Sequence, residues 1–280
     1  MKKIGFVDYY ISEWHANNYP KWIKEINSKL GEDFVLKYAW AEKDVSPIDG
    51  KTTQQWCEEF GVEKCDTIEE LCTRSDYIFI LAPSDPDTHL RLCEKVFRYK
   101  KNTYVDKTFA PDAATAKKIY KIAEENGTKF FSSSALRFAT EVQEMAGKSV
   151  MSTVLGEGSN IDEYIIHLIE MTVTMQGIGA TAVKLNKSNL NYMIQIKYAD
   201  DRKATLLFGD GLAFKYICHD GTKYHVKDIV SNSFLGLIEN ILNFFKTGET
   251  PFGFEETMEV MKIRDKIIEA KDKEGEWLFL

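Results

Sequence analysis

Several features are scarce in this 280-residue chain, and each scarcity removes a class of answer. No stretch approaches the roughly 18 uncharged residues that a membrane helix requires, so no membrane partner is expected. The start, Met1-Lys2-Lys3-Ile4-Gly5-Phe6-Val7, carries an apolar run far too short for a secretory signal, and Asp8 ends it. Five cysteines (Cys57, Cys65, Cys72, Cys93 and Cys218) form no Cys-x-x-Cys pair and no cluster with histidine. Neither structural zinc nor a disulfide framework is expected, no metal is required, and the odd, scattered count suits a reducing, cytoplasmic setting. Basic residues are the minority, 36 Lys and Arg against 43 Asp and Glu, for a net charge of −7. The two signs are interspersed without a basic stripe, which argues against a nucleic-acid partner. Anionic ligands are not thereby excluded, because helix N-termini bind phosphate inside acidic proteins too.

What is present is the material of a large globular core: 44% hydrophobic residues, with 17 Phe, 13 Tyr and 5 Trp. In the first half, strand-like runs at 3–7, 34–40, 77–81, 103–105 and 129–132 alternate with helical runs at 13–30, 53–60, 68–73, 87–95 and 113–126. Pro20 is expected to break or restart the first helix, since proline has no N–H to donate. Thr67 is placed to cap the third helical run, with Glu70 at the capping-box position. Gly61 and Gly127 stand where C-cap glycines belong. The alternation implies parallel pairing through right-handed crossovers, hence a doubly wound sheet. Such sheets bind ligands beyond the carboxyl ends of their strands. That rule selects residues 8–15, 41–45, 82–89, 106–108 and 133–138.

Past residue 137 the pattern changes. Helical runs at 139–149 and 161–175 lead into strand-like runs at 182–185, 192–198, 203–208, 212–218 and 223–226, joined by short polar turns as in an antiparallel sheet. Helices near 234–246 and 255–272 close the chain. The expected architecture is α/β: a doubly wound domain over 1–137 and an α+β domain with a mostly antiparallel sheet over 138–280. Apolar residues such as Met193, Ile194 and Ile196 are expected to bury one sheet face against a twin subunit, giving a homodimer or larger homo-oligomer.

Two segments point to a family. Tyr104-Val105-Asp106-Lys107-Thr108-Phe109-Ala110, followed by the helix at 113–126, is similar to the strand, Glu-Lys-Pro loop and helix of the Gfo/Idh/MocA oxidoreductases, with Asp-Lys-Thr as the triplet. The closing stretch from Thr247-Gly248-Glu249-Thr250-Pro251 to Trp277, the Ala82-Pro83 loop with His89, and Arg137-Phe138 also resemble it. The resemblance spans nearly the whole chain. It implies a Rossmann domain that binds NAD or NADP, and oxidation of a secondary alcohol, or the reverse reduction, on a sugar, polyol or related small metabolite.

On that resemblance Lys107 lies beside the nicotinamide and the reacting hydroxyl, where an ammonium stabilises charge developing on the oxygen. Asp106 beside it holds the ammonium. A solvated loop lysine is the plain alternative. The run Ile161-Asp162-Glu163-Tyr164-Ile165-Ile166-His167 resembles the family's Asp-x-Gly-x-His-x-x-Asp helix, with Glu163 and Tyr164 as departures. His167 becomes the acid/base and Glu163 or Asp162 its orienting carboxylate, with Tyr164 adding bulk or a hydroxyl. A core histidine satisfied by a neighbour is the alternative. Pro83, Asp85, His89 and Arg137 are expected near the nicotinamide half, although His89 could equally fill a helix turn.

The glycine-rich loop of dinucleotide folds should follow the first strand, where glycines let the backbone approach a diphosphate. Here Asp8-Tyr9-Tyr10-Ile11-Ser12-Glu13-Trp14-His15 stands instead. Asp8 would bring negative charge and Tyr9 and Tyr10 bulk, while free N–H groups are expected at a helix start near Ser12. Glu42 or Asp44 could reach the adenosine ribose, and Lys43 a 2′-phosphate. The aromatics Tyr9, Tyr10, Trp14 and Trp40 near the strand ends suit either core packing or stacking on a ring. The altered loop leaves a second reading open, a non-catalytic relative that binds a metabolite or partner as a sensor.

Overall fold

The computed structural model describes residues 1–83 and 85–280, leaving Ser84 outside. The chain forms two compact units. The first takes Met1–Ser133 and, after a long excursion, Leu237–Pro251; the second takes Ser134–Gly236 and Phe252–Leu280. The chain therefore leaves the first unit just before the boundary expected at 137 and later returns to it.

The first unit contains β1 (Lys2–Asp8), α1 (Trp14–Leu30), β2 (Phe34–Ala41), α2 (Thr53–Phe60), β3 (Glu63–Lys64), α3 (Ile68–Arg74), β4 (Tyr77–Ile80), α4 (Asp87–Val96), β5 (Thr103–Val105), α5 (Ala113–Asn126) and β6 (Phe130–Ser132). Its strands lie in the order β3-β2-β1-β4-β5-β6, and every neighbouring pair is parallel. This is the doubly wound Rossmann order, with its switch point between β1 and β4. Helix α1 runs unbroken through Pro20. Tyr19, Trp22, Ile23 and Ile26 bury one face on both sides of the proline, and caps at Glu13 and Gly31 fix both ends; this packing outweighs the one hydrogen bond lost. The third helix keeps Thr67 as its cap, but the Glu70 carboxylate accepts from Asp66 N rather than closing the box on Thr67.

Why the chain returns to this unit is visible in its core. Within α8 (Ser233–Thr247), Phe245 stacks on Tyr77 at 4.8 Å and meets Phe79 at 5.4 Å, while Phe244 meets Phe131 at 5.3 Å. Each ring buried this way contributes on the order of 2–3 kcal/mol.

The second unit holds α6 (Thr140–Gln143), β7 (Met151–Gly156), α7 (Ile161–Gln176), β8 (Ala180–Ser188), β9 (Asn191–Tyr198), β10 (Lys203–Phe208), β11 (Lys215–His219), β12 (Tyr224–Asp228), α9 (Phe254–Ala270) and β13 (Leu278–Phe279). The sheet order is β12-β11-β7-β10-β9-β8-β13. It is mostly antiparallel; β7 pairs parallel with β10. The helix expected over 139–149 is cut to four residues, since Gly147 adopts a positive φ and β7 begins soon after. Helix α7 is buried almost all round, which explains its unusually apolar sequence. Period-two alternation also corrects the surface expected to pair subunits: Ile194 and Ile196 are fully buried, whereas Met193 points to the opposite, exposed face.

Candidate functional site

In the first unit the strand-end rim is built around Asp106 and Lys107, which follow β5 directly. Asp106 is fully buried. Its carboxylate accepts from Lys107 N at 2.8 Å, Tyr104 Oη at 3.1 Å and Tyr19 Oη at 3.4 Å, and it meets His15 Nδ1. Burial alone would raise the pKa of this acid, but the charge and hydrogen bond of His15, with Lys107 beyond, hold it below the usual carboxylate range. The expected clasp is thus made through the Lys107 backbone. Lys107 is only 8% exposed, and its ammonium donates to the Pro83 carbonyl at 3.5 Å. A buried ammonium at the end of a central parallel strand is suited to bind and polarise a ligand oxygen.

The first β–α turn differs from the arrangement that a diphosphate needs. Asp8 is buried, and its Oδ1 accepts from Tyr9 N at 2.7 Å and Ala82 N at 3.0 Å, which ties β1 to the end of β4. Its Oδ2 is buried without a hydrogen-bond partner among the described residues. The helix cap is Glu13, not Ser12: the Glu13 carboxylate accepts from His15 N at 2.7 Å and from Ala16 N. Ser12 is turned away, donating to Asp49 at 2.8 Å. Ile11 is core, and Tyr9 packs on Tyr10 with ring centroids 5.8 Å apart. Burial, reinforced by their mutual charge, pushes Asp8 well above its ordinary pKa, and burial pushes Glu13 up to about 7. The N–H groups expected to be free at this helix start are held by a carboxylate of the chain itself. These residues do not fit a diphosphate seated on α1.

Other expected cofactor contacts have structural partners. Glu42 is held by Arg91 through two bonds of 3.0 Å, which lowers its pKa. Asp44 pairs with Lys64 at 3.1 Å, and Lys43 lies 5.9 Å from the Tyr9 ring centroid. His89 is fully buried, with Nδ1 2.9 Å from the Phe109 carbonyl and Nε2 2.5 Å from that of Leu81. Burial keeps its pKa below the usual value, so near pH 7 the neutral ring, with one N–H, donates to one of these two carbonyls. The expected contact with a nicotinamide is corrected on this ground. Asp85 accepts from Thr88 Oγ1 through its main-chain carbonyl, shaping the start of α4.

In the second unit, His167 stands on α7 with its Nδ1 2.6 Å from Ser134 Oγ. Ser134, absent from the sequence expectation, therefore orients the imidazole. Tyr164, one turn earlier, packs its ring 5.8 Å from that of His167. Gly158 makes room for Tyr164, because a Cβ there would lie 2.2 Å from the Tyr164 Cβ. Glu163 N is capped by Asn160 at 2.8 Å. The Asp162 carboxylate is taken by Lys271 at 2.6 and 2.8 Å on the exposed side of the helix, which removes it as the carboxylate that orients His167. Arg137 is likewise corrected. It is 2% exposed, pairs with Glu170 at 2.5 Å and Glu256 at 2.6 Å, and lies on the Phe252 ring. Two acids and a ring engage this guanidinium, which acts as a core strut of its own unit.

Sequence reasoning missed Glu13, His15 and Glu170. Glutamate is a rare cap, so Glu13 gave no cap signal; an acid just before a helix start was the available clue. No spacing rule links His15 to Asp106 or Glu170 to Arg137. Among the described residues no cluster could hold a metal ion, and no helix is long and apolar enough to cross a membrane.

Residues 40–134 match the model of the Gfo/Idh/MocA family, described as an oxidoreductase family with an NAD-binding Rossmann fold. A search of curated protein sequences finds no match. Among solved structures, the chain is similar to a probable dehydrogenase from Thermotoga maritima (13% identity, 99% of this chain and 98% of that one, TM-score 0.80). It is also similar to GenD2 of gentamicin A biosynthesis in complex with NAD (12%, 100% and 97%, TM-score 0.78). A third similar structure is UDP-N-acetylglucosamine 3-dehydrogenase from Acidithiobacillus ferrooxidans (12%, 96% and 97%, TM-score 0.75). At such identities the likeness is one of fold.

Proposed function

We propose, from the match of residues 40–134 to the Gfo/Idh/MocA oxidoreductase model, that this protein interconverts a secondary alcohol and a ketone on a sugar, polyol or related small metabolite. The observation that carries the reading is the buried ammonium of Lys107 at the end of β5, beside the fully buried Asp106. Lys107 donates to the reacting oxygen and stabilises the charge that grows on it. In the second unit His167, oriented through Nδ1 by Ser134, is suited to general acid/base work. A nicotinamide nucleotide, implied by the fold, would supply the hydride acceptor, held by contacts other than the start of α1. The sugar-nucleotide dehydrogenase among the similar structures supports a polyhydroxylated substrate.

The test is turnover of a polyol and sugar panel with either nucleotide. Lys107→Ala is expected to lower kcat/KM by at least about 100-fold while the thermal transition is kept; full activity in that variant sinks the assignment. A second reading, a non-catalytic metabolite sensor, is favoured by Asp8 and Glu13 at the first turn. Saturable quenching of tryptophan fluorescence by NADH or NADPH supports the enzyme, and its absence for both supports the sensor.

Two further parts of the reading concern setting and assembly. A cytoplasmic location is supported by five buried free thiols. A second copy of the chain is proposed to cover the outer face of the β7–β13 sheet, where Met151, Met193, Ile217 and Trp277 border an uncovered face with a hollow of about 370 Å³. Light scattering is expected to give a dimer; a monomer removes this part alone.

A further inference from the structure

We infer that the start of α1 in this protein is closed to a nucleotide diphosphate by the chain's own carboxylates, and that the turn serves instead to tie β1, β4 and the Lys107 loop together. In a dinucleotide fold, a diphosphate gains most from backbone N–H groups at the first helix start, backed by the positive end of the helix dipole. Those elements are present here, and four of the N–H groups are spent internally. The N–H groups of His15 and Ala16 point to the Glu13 carboxylate, and those of Tyr9 and Ala82 to Asp8. The loop from Asp8 to Trp14 carries no Lys or Arg. The Ser12 hydroxyl donates to a third acid, Asp49.

A diphosphate brought here would have to displace Glu13 as the cap and approach a buried Asp8 beside it. Both steps oppose binding: the first leaves the Glu13 carboxyl without its donors, and the second either places like charges together in a medium of low dielectric or keeps Asp8 protonated. The charged groups that act on Glu13 include His15, Asp106 and Asp8. Burial holds its carboxyl at about 7, so near neutral pH this acid is partly neutral. Even then it remains the partner of the helix N–H groups.

What the turn gains is a latch. His15 reaches from the first turn of α1 to Asp106, stacks on Tyr19 with centroids 5.2 Å apart, and so binds α1 to the residue that shapes the Lys107 backbone. A nucleotide used by this protein then draws its affinity from its nucleoside parts, and ADP or inorganic diphosphate alone finds no seat at α1.

The experiment follows the backbone amides of His15 and Ala16 by NMR in the full chain. Titration with ADP, and separately with inorganic diphosphate, to roughly 10 mM, tenfold above a millimolar dissociation constant, is expected to leave both resonances in place. Lowering the pH through 7 is expected to move them, as Glu13 takes up its proton. A saturable shift of the two amides with either anion overturns the inference. This outcome is separable from the oxidoreductase reading, which stands or falls on turnover and its dependence on Lys107.

Discussion

His15 and Asp106 are 91 positions apart in the chain and yet meet side chain to side chain within the first unit, imidazole Nδ1 on a fully buried carboxylate. The contact exists because the β1–α1 turn and the end of β5 lie on the same carboxyl edge of the parallel sheet. It joins the segment that departs most from the dinucleotide pattern to the segment that resembles the family best. A change in either is expected to be felt in the other.

Glu13 is one group through which stability depends on pH. Its folded pKa, about 7, lies above the ordinary value of 4.5. A carboxyl raised in this way contributes stability fully below its unfolded pKa and loses it as pH rises through the folded one. Glu13→Gln is therefore expected to flatten the fall in stability between pH 5 and pH 8, an effect on the order of 2–3 kcal/mol. Urea denaturation at the two pH values measures it. An unchanged difference between them contradicts the assignment.

His89 acts in the opposite sense. Burial lowers its folded pKa, so the neutral ring is favoured and acidification below the ordinary value of 6.5 costs stability. His89→Gln is expected to reduce the loss between pH 7 and pH 5. It is also expected to cost about 1–3 kcal/mol at pH 7, because the buried N–H bond from the ring to a Leu81 or Phe109 carbonyl is lost. Thermal melts at both pH values check the two effects together.

Arg137→Met leaves Glu170 buried at 5% side-chain exposure without its guanidinium. Removal of one partner from a buried pair costs about 3–5 kcal/mol. Changing Glu170 to Gln in the same chain is expected to recover part of that loss, since the stranded charge is then gone. Chemical denaturation of the single and double variants decides it; a double variant no more stable than Arg137→Met speaks against a charge effect.

Gly5→Ala tests close packing in β1. A Cβ there would lie 2.5 Å from Ser75 Oγ and 2.7 Å from Leu71 Cδ2, where α3 approaches the strand. Overpacking of this kind costs about 1–3 kcal/mol. The same glycine follows the register shift between Ile4 and Gly5 in the β1–β2 pairing. A melting temperature equal to that of the parent chain would show that the helix yields freely.

The sequence was sufficient for whatever local periodicity controls. The α5 boundaries at Ala113 and Asn126, the C-cap glycines Gly61 and Gly127, and the alternation that makes a doubly wound sheet are all local patterns of hydrophobicity and backbone freedom. Met151–Gly156 went unseen as a strand, since it is recognised only through its neighbours β10 and β11, and a partner distant in sequence leaves no periodic trace. Pairings between charges were beyond reach for the same reason. Asp162 and Glu42 were expected to face a histidine and a ribose, and they face Lys271 and Arg91. Residue type and spacing state what a side chain can do; its partner depends on which distant segments the packed core brings alongside it. Tertiary structure alone decided that Glu13, Asp8 and His15 close the first turn upon themselves.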